Sequence, residues 1–226
     1  MKIMVIGLGN FGTALAIKLT RFGNEVIGID RSRHKTESIK EFVTTVVTVD
    51  ITEASAVAQL PVAEMDVIVI SIGENLGDSV IATALLKDNG AKRICCRAIS
   101  ETHFSILMNM GVHHIFTPEV DAASNSVSTV LFELVHTAYV ISDDYKVCEI
   151  YVPKRFVGLK VKDLTLNTHN LKLLLFRQAK SELHPQYMVK MIFEDKVKDY
   201  DEIILKKDDL LVLFGLKKDL DRFVSM

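Results

Sequence analysis

The sequence lacks the features that would place it in a membrane or on a nucleic acid. It has no uninterrupted apolar run near the roughly 20 residues that a membrane helix requires. Its net charge is −2 at pH 7, so no basic field indicates a nucleic-acid partner. The N-terminus enters the strand-like run Lys2–Ile6 without signal-peptide anatomy, and we therefore expect a cytoplasmic protein.

Cysteine and catalytic motifs are equally scarce. The three cysteines are Cys95, Cys96 and Cys148, without C-x-x-C or metal-ligand spacing. Adjacent strand residues point to opposite faces, so Cys95 and Cys96 are poorly placed to bridge, and we expect buried, reduced thiols. The sequence contains no H-E-x-x-H, G-x-S-x-G or Walker lysine motif. No local nucleophile or acid–base motif is therefore predicted.

The first part of the chain alternates short apolar runs with amphipathic stretches, which predicts a parallel sheet with helical crossovers. Several runs are rich in β-branched residues, as expected for strands covered on both faces. The predicted strands are Lys2–Ile6, Glu25–Ile29, Val46–Val49, Val67–Ile70, Arg93–Cys96 and His114–Phe116. The predicted helices are Phe11–Phe22, Arg33–Phe42, Glu53–Gln59, Leu76–Asn89 and Thr102–Met110. The fold class is α/β, a doubly wound, Rossmann-type sheet.

A longer helix is predicted from Glu119 to about Thr137, because apolar residues recur there at spacings of three and four. It packs either on its own sheet alone or also on a partner subunit. The pattern then changes at a polar break, so we place a linker at 138–145 between domains 1–137 and 146–226. The second domain reads as a small α+β unit. Its predicted strands are Lys146–Val152, Leu171–Arg177, Tyr187–Phe193 and Leu210–Phe214, and its short helices are Val161–Leu166 and Lys217–Phe223.

The strongest motif is the loop Gly7-Leu8-Gly9-Asn10-Phe11-Gly12, which follows the first strand and opens a helix. In this G-x-G-x-x-G pattern, Gly7 permits a tight turn, Gly9 lets the backbone approach phosphates, and Gly12 allows close helix–strand packing. Free N–H groups and the helix dipole then attract phosphate charge. The loop predicts a nucleotide-binding site, although glycines can also serve a turn alone.

Asp30 ends the second strand, where a carboxylate can accept hydrogen bonds from ribose hydroxyls. It favours ADP, ATP or NAD over NADP, because it repels a 2′-phosphate, whereas Arg31 and Arg33 weaken that preference. Asp30 can alternatively be a solvated strand-end carboxylate.

Other strand ends add candidates whose roles stay open. Asp50 can contact adenine, or Thr52 can cap the next helix and leave Asp50 solvated. Ile72-Gly73 follows the fourth strand, at the edge where ligands bind. Arg97 follows the fifth strand and can pair with phosphate or form a surface salt bridge.

Together, these residues resemble the RCK domain (regulator of conductance of potassium). The motifs are the glycine loop, Asp30, Val49-Asp50-x-Thr52, Ile72-Gly73, Arg97-Ala98 and Thr117-Pro118-Glu119. The second domain resembles the RCK-C, or TrkA-C, domain. Length and domain order are similar to those of the KtrA/TrkA family of cytoplasmic regulatory subunits of bacterial potassium transporters. The resemblance is strong over residues 1–137 and weaker over 145–226.

The resemblance implies a function without catalysis. Such subunits assemble as dimers into rings, typically octamers, which dock on a membrane-embedded potassium-translocating subunit at the inner face of the membrane. Exchange of ATP for ADP, or of NAD for NADH, changes the ring and gates transport, which is a population shift. By the same resemblance, Gly7, Gly9, Phe11 and Gly12 hold phosphates, and Asp30, Arg31 and Ser32 lie at the ribose. Asp50, Ile51 and Thr52 line the adenine side, and Ile72, Gly73, Arg97 and Ala98 close the pocket.

Three positions modify this expectation. Glu119 begins the long helix and, with a divalent or monovalent cation at the dimer interface, can face a terminal phosphate; alternatively it complements the helix dipole. Asn10 stands where related sequences often carry arginine, which weakens the preference for ATP. Asn167 stands where arginine accompanies cyclic di-AMP binding in some relatives, so the sequence argues against that ligand.

The sequence therefore predicts a nucleotide-sensing regulatory subunit of a potassium uptake system. The alternatives are an NAD-dependent oxidoreductase and an RCK-type regulator of another membrane transporter. An oxidoreductase needs a substrate cavity and a proton-relay group beside the nicotinamide. Three histidines lie near strand ends of the first domain, namely His103, His113 and His114.

Overall fold

The chain is organised as two compact units, Met1–Pro118 and Glu119–Met226. A computed structural model describes residues 1–178 and 202–225. None of the helices in this described part is long and apolar enough to cross a membrane.

The first unit contains a six-stranded parallel sheet with strand order β3-β2-β1-β4-β5-β6. The order reverses between β1 and β4, which identifies the doubly wound topology predicted from the sequence. The strands are β1 (Lys2–Ile6), β2 (Glu25–Asp30), β3 (Thr45–Thr48), β4 (Val67–Ile70), β5 (Ile94–Arg97) and β6 (His114–Phe116).

Helices connect the strands, and several begin at polar residues that cap free N–H groups. Ser32, Asn75 and Ser100 each accept a backbone N–H with their side chains at the start of a helix. The helices are α1 (Asn10–Arg21), α2 (Arg33–Ile39), α3 (Ala54–Val57), α4 (Leu76–Asp88) and α5 (Glu101–Asn109). Both α2 and α3 are shorter than predicted, and a short 3-10 turn at Val62–Glu64 precedes β4.

Alternate residues of the central strands enter two different apolar clusters. Met4 and Ile6 belong to one cluster, whereas Ile3 and Val5 belong to the other, so the sheet is covered on both faces. Cys95 and Cys96 also divide between the clusters, and each cysteine is a buried free thiol, as predicted. Burial raises the pKa of the Cys96 thiol to about 11, which keeps it protonated and unreactive.

In the described part of the second unit, four strands form an antiparallel sheet with strand order β7-β8-β10-β9. The strands are β7 (Val135–Val140), β8 (Tyr145–Tyr151), β9 (Lys172–Arg177) and β10 (Leu210–Leu216), and the helices are α6 (Pro118–Leu131) and α7 (Lys217–Ser225). Short 3-10 turns occur at Lys154–Phe156, Val161–Leu164 and Leu166–His169. The predicted strand Tyr187–Phe193 lies outside the described residues.

The predicted helix from Glu119 to Thr137 is wrong in its second half. The helix α6 ends at Leu131, and Val135 begins a strand that pairs with β8. Long-range pairing decides this segment, because its apolar spacing also fits a helix. The predicted helix Val161–Leu166 is likewise replaced by two 3-10 turns. The predicted linker at 138–145 contains the end of β7, and a family-domain boundary at that place stays a prediction.

A buried lysine connects three elements of the second unit. The side chain of Lys146 is only 5% exposed and lies 2.5 Å from Oδ1 of Asp221 in α7. Its Nζ also donates to the Ser128 hydroxyl of α6 at 2.7 Å. A buried charge is tolerated only when it is paired and hydrogen-bonded, so these contacts hold α6 and α7 on β8.

We expect Asp221→Ala to destabilise the second unit more than Lys146→Met does. Removing the acid leaves an uncompensated buried charge, whereas the methionine removes the charge and keeps the volume. Expected costs are about 2 kcal/mol for Asp221→Ala and less than about 1 kcal/mol for Lys146→Met. Hydrogen exchange of the β8 amides measures both, with the exposed Asp208→Ala as the control. A larger loss in Lys146→Met would contradict this account of the charge.

Candidate functional site

The glycine loop lies at the point where the strand order of the sheet reverses. It follows the carboxyl end of β1, next to the loop that follows β4. In open parallel sheets, ligands bind in the crevice outside the strand ends at this place. The fold therefore puts the predicted loop where a nucleotide site is expected.

The three glycines of the motif have different geometries. Gly7 has φ of +90°, a conformation that favours glycine, and a Cβ there would lie 3.0 Å from the backbone nitrogen of Ile72. A Cβ on Gly12 would overlap both the carbonyl oxygen of Gly7 and the hydroxyl of Ser71. A Cβ on Gly9 would have no described heavy atom within 4 Å. Two glycines are thus required by close packing, whereas Gly9 faces open space.

The first turn of α1 begins beside that open space. Gly9 occupies the N-cap position, its carbonyl accepts from the Thr13 N–H at 2.9 Å, and the first turn carries no acidic residue. Asn10 is exposed, while the ring of Phe11 lies 5.9 Å from that of Phe116. The leading N–H groups of a helix have no intrahelical acceptor, so this end can receive an anion.

The Asp30 carboxylate is engaged on both oxygens. Oδ2 accepts from the backbone N–H of Leu8 at 2.7 Å, and Oδ1 accepts from that of Ser32 at 2.8 Å. Asp30 is only 8% exposed, so the alternative of a solvated carboxylate is wrong. The Ser32 hydroxyl itself caps α2 by accepting the N–H of Lys35. Asp30 therefore braces the glycine loop, and its contact with ribose stays a prediction.

Two ion pairs join the segment after β2, including the first turn of α2, to the segment that begins α4. Arg31 Nη1 lies 3.4 Å from Oδ2 of Asp78, and Lys35 Nζ lies 3.4 Å from Oε1 of Glu74. Lys35 Nζ is also 3.8 Å from Oδ2 of Asp30. Such partly exposed pairs contribute little stability. They place positive charge beside Asp30, which leaves the choice between a 2′-hydroxyl and a 2′-phosphate open.

The segment after β3 forms a compact turn around Asp50. Its Oδ1 accepts from the hydroxyl of Thr52 at 2.7 Å and from the backbone N–H of Thr52 at 2.9 Å. These bonds, the side-chain bond first, lower the pKa of Asp50 below its ordinary value, and Arg31 adds to the effect. The N-cap of α3 is Glu53, so the alternative of Thr52 as the cap is wrong. The side chain of Ile51 is buried in the core, so a ligand on this side would contact the backbone of Ile51 rather than its side chain.

The far side of the crevice is formed by the loop after β4 and the end of β5. A Cβ built on Gly73 would lie 2.5 Å from Nη1 of Arg97, so the guanidinium packs directly on the Gly73 backbone. Ile72 is partly buried against the core. Ala98 is a core residue whose N–H donates to the Phe116 carbonyl. The loop glycines, Asp30, Gly73 and Arg97 are therefore grouped along one edge of the sheet.

Two further residues differ from this group, one because no motif predicted it and the other because it belongs to the second unit. Ser71, the last residue before Ile72, is 3% exposed and contacts the glycine loop, yet no sequence motif indicated it. Glu119 is the second residue of α6 and belongs to the other unit. No group of three or more potential metal ligands occurs within residues 1–178 and 202–225. The cation role of Glu119 stays a prediction.

Comparison with known proteins agrees with the resemblance stated from the sequence. The TrkA-N domain model matches residues 3–118. The Ktr system potassium uptake protein A of Bacillus subtilis (strain 168) is 26% identical over 223 residues, which covers 98% of this chain and 95% of the relative.

Solved structures show the same fold. The crystal structure of the GsuK RCK domain matches with a TM-score of 0.64 at 16% identity, covering 99% of this chain and 47% of that one. The GsuK channel bound to NAD matches with a TM-score of 0.60 at 17% identity, covering 97% of this chain and 38% of that one. The chain thus spans less than half the length of either solved chain.

Alanine substitutions at Gly12 and Gly9 are expected to lower the free energy of unfolding by different amounts, because only Gly12 is closely packed. Gly12→Ala should cost about 1–3 kcal/mol or more, because its methyl group overlaps backbone and Ser71. Gly9→Ala should cost less than about 1 kcal/mol, because its φ of −74° suits alanine and its Cβ meets open space. Chemical denaturation followed by circular dichroism measures both. Equal stability of the two variants would show that Gly12 is not closely packed.

Thr52→Val is expected to raise the pKa of Asp50 toward its ordinary value of 3.8, because the hydroxyl bond is the largest cause of the lowering. A lowered folded-state pKa gives stability that is present above the unfolded pKa and is lost as pH falls through the folded pKa. The advantage of the wild type should therefore begin to decline at about pH 4, the unfolded-state pKa, and be lost as the pH falls through the lower folded-state pKa. Carbon NMR titration of the Asp50 carboxyl measures the shift. An unchanged pKa in the variant would exclude the hydroxyl as its cause.

Proposed function

The chain belongs to the TrkA-N domain family, and we propose that it is a nucleotide-binding regulatory subunit of a potassium uptake system. The observation that carries this proposal is the glycine loop, whose uncapped helix N-terminus and open space at Gly9 lie at the strand-order reversal. This geometry accepts phosphates through backbone N–H groups. The match to Ktr protein A over nearly the full length of both chains supports the transport role.

The ligand is an adenine nucleotide, either ADP or ATP, or NAD or NADH. The channel GsuK, which has this fold, has been solved with NAD. Phosphates would lie against the first turn of α1, and ribose hydroxyls would approach Asp30. Arg97 would lie at the far side of the crevice, beside Gly73. A cation between Glu119 and a terminal phosphate belongs to the same proposal, because a carboxylate facing a triphosphate needs one.

The partners are further copies of this chain and a membrane-embedded subunit that translocates potassium. The helix α6 supports assembly, because its apolar residues Val120, Val127 and Val130 are 63%, 54% and 82% exposed. A helix face of this kind is typical of a surface that another subunit covers. We infer a dimer as the unit of a ring, octameric by resemblance, which lies in the cytoplasm at the inner face of the membrane.

Regulation explains the described residues better than hydride transfer does. His103 is fully buried, and burial lowers the pKa of its imidazole, so it cannot meet a substrate. Nδ1 of His113 accepts the N–H of Ile94, and the ring of His114 lies 4.6 Å from that of Phe116. Burial thus removes His103 as a proton-relay group for hydride transfer. Binding that shifts a conformational equilibrium needs no such group.

Thermal denaturation with ATP, ADP, AMP, NAD, NADH and NADPH tests the proposal. A ligand that binds the native state raises the melting temperature by mass action, by about 2.7 kcal/mol of added stability at 100 times its Kd. We expect a clear shift with at least one adenine nucleotide. The Gly9→Ala variant is the matched control, because its methyl group occupies the phosphate space without disturbing the fold.

Two results would contradict the proposal. If no nucleotide shifts the melting temperature, the sensor role is wrong. If the mass in solution is strictly that of a monomer at every concentration and with every nucleotide, the ring is wrong.

A further inference from the structure

One peptide group of the glycine loop is held at both of its polar ends. The Ser71 hydroxyl donates to the carbonyl oxygen of Gly7 at 2.6 Å. The N–H of Leu8 donates to Oδ2 of Asp30 at 2.7 Å. This carbonyl and this N–H belong to the same peptide group. The two side chains lie at the ends of the strands that flank β1 on either side, so they hold the peptide between them.

The contact from Ser71 is buried and tightly packed. Ser71 is 3% exposed, and its hydroxyl also lies 2.9 Å from the carbonyl oxygen of Ile6. A hydroxyl has one hydrogen, so it serves one of these two carbonyl oxygens at a time or shares the bond between them. A Cβ on Gly12 would overlap this same hydroxyl. The oxygen of Ser71 is therefore surrounded by the loop and the start of α1.

The hydrogen bond from Ser71 restricts a residue that would otherwise be mobile, because Gly7 is a glycine with a positive φ. A glycine in this conformation has many alternatives, and rotation of the peptide after it would redirect the chain at Gly9. Leaving the Gly7 carbonyl without its buried donor also carries a desolvation cost. The hydroxyl of Ser71 and the carboxylate of Asp30 together exclude the rotated peptide. The N–H groups that follow are then preorganised for an anion.

We propose that Ser71 is a positioning residue for phosphate binding, acting through the Gly7–Leu8 peptide rather than by touching the ligand. This inference rests on the proposed function and adds a residue that no motif predicted. Donors already in place bind without paying for their own ordering, so loss of the contact weakens ligands that carry phosphate. Ligands that lack phosphate do not use these donors.

The test compares ADP with adenosine in the full chain. Calorimetry measures ADP, and competition against ADP measures adenosine. For Ser71→Ala we expect the affinity for ADP to fall about tenfold, with the affinity for adenosine unchanged within about twofold. Ser79→Ala is the matched control, because Ser79 is also fully buried and its hydroxyl has no hydrogen-bond partner among the described residues. That variant should bind both ligands as the wild type does.

Other variants make the result decisive. Asp30→Ala removes a ribose acceptor as well as the second anchor, so both ligands should weaken. Ser71→Cys keeps a similar shape with a weaker donor, so its ADP affinity should fall, but by less than the roughly tenfold loss expected for Ser71→Ala. It takes the place of the alanine variant if that variant does not fold. Unchanged ADP affinity in the Ser71 variants, or equal losses for ADP and adenosine, would overturn the positioning role. Failure of the wild type to bind any nucleotide would instead overturn the proposed function, and this inference with it.

Discussion

The close approach of α1 to the ends of β1 and β4 governs the geometry of the candidate site. Gly12 has no side chain, so the first turn of the helix can pack against the Gly7 carbonyl and the Ser71 hydroxyl. Any larger residue would push the helix away from the sheet. The direction of the helix dipole and the location of its free N–H groups depend on this contact. In the proposed nucleotide site, phosphate recognition would therefore depend first on this packing and only then on charge.

Much of the first unit could be predicted from the sequence, because each local signal agreed with the others. The runs of β-branched residues are buried on both faces, and the glycine loop marks the end of β1. The second unit offered conflicting signals. Around Val130, Leu131 and Leu134 the apolar spacing continues that of α6, yet Val135 begins β7. No glycine or proline separates the two elements, and only the pairing of β7 with β8 resolves them.

In the candidate site, too, some residues belong to a local sequence motif, whereas others acquire their role only through tertiary contacts. The glycines and Asp30 belong to a spaced motif, so the sequence predicted where they lie. Ser71 and Lys146 have no such motif, because a single hydroxyl or amine becomes informative only when the fold brings its partners together. A signal for Ser71 existed in principle, since it immediately precedes Ile72-Gly73 at the end of a buried strand. In this chain the hydroxyl at that point contacts the loop that follows the neighbouring strand β1.

Asp30 illustrates why the roles of such residues do not separate cleanly. A carboxylate offers about four lone-pair positions, and the N–H groups of Leu8 and Ser32 use two of them. Ribose hydroxyls can then bind the remaining positions while the loop stays braced. One carboxylate would thus serve both the ribose and the loop that receives the phosphates. Energies of contacts that share a partner do not add, so in the proposed site the ribose and phosphate parts of the affinity would be coupled through this residue. In a regulator that distinguishes nucleotides by their phosphates, such coupling would transmit a change at one end of the ligand to the other.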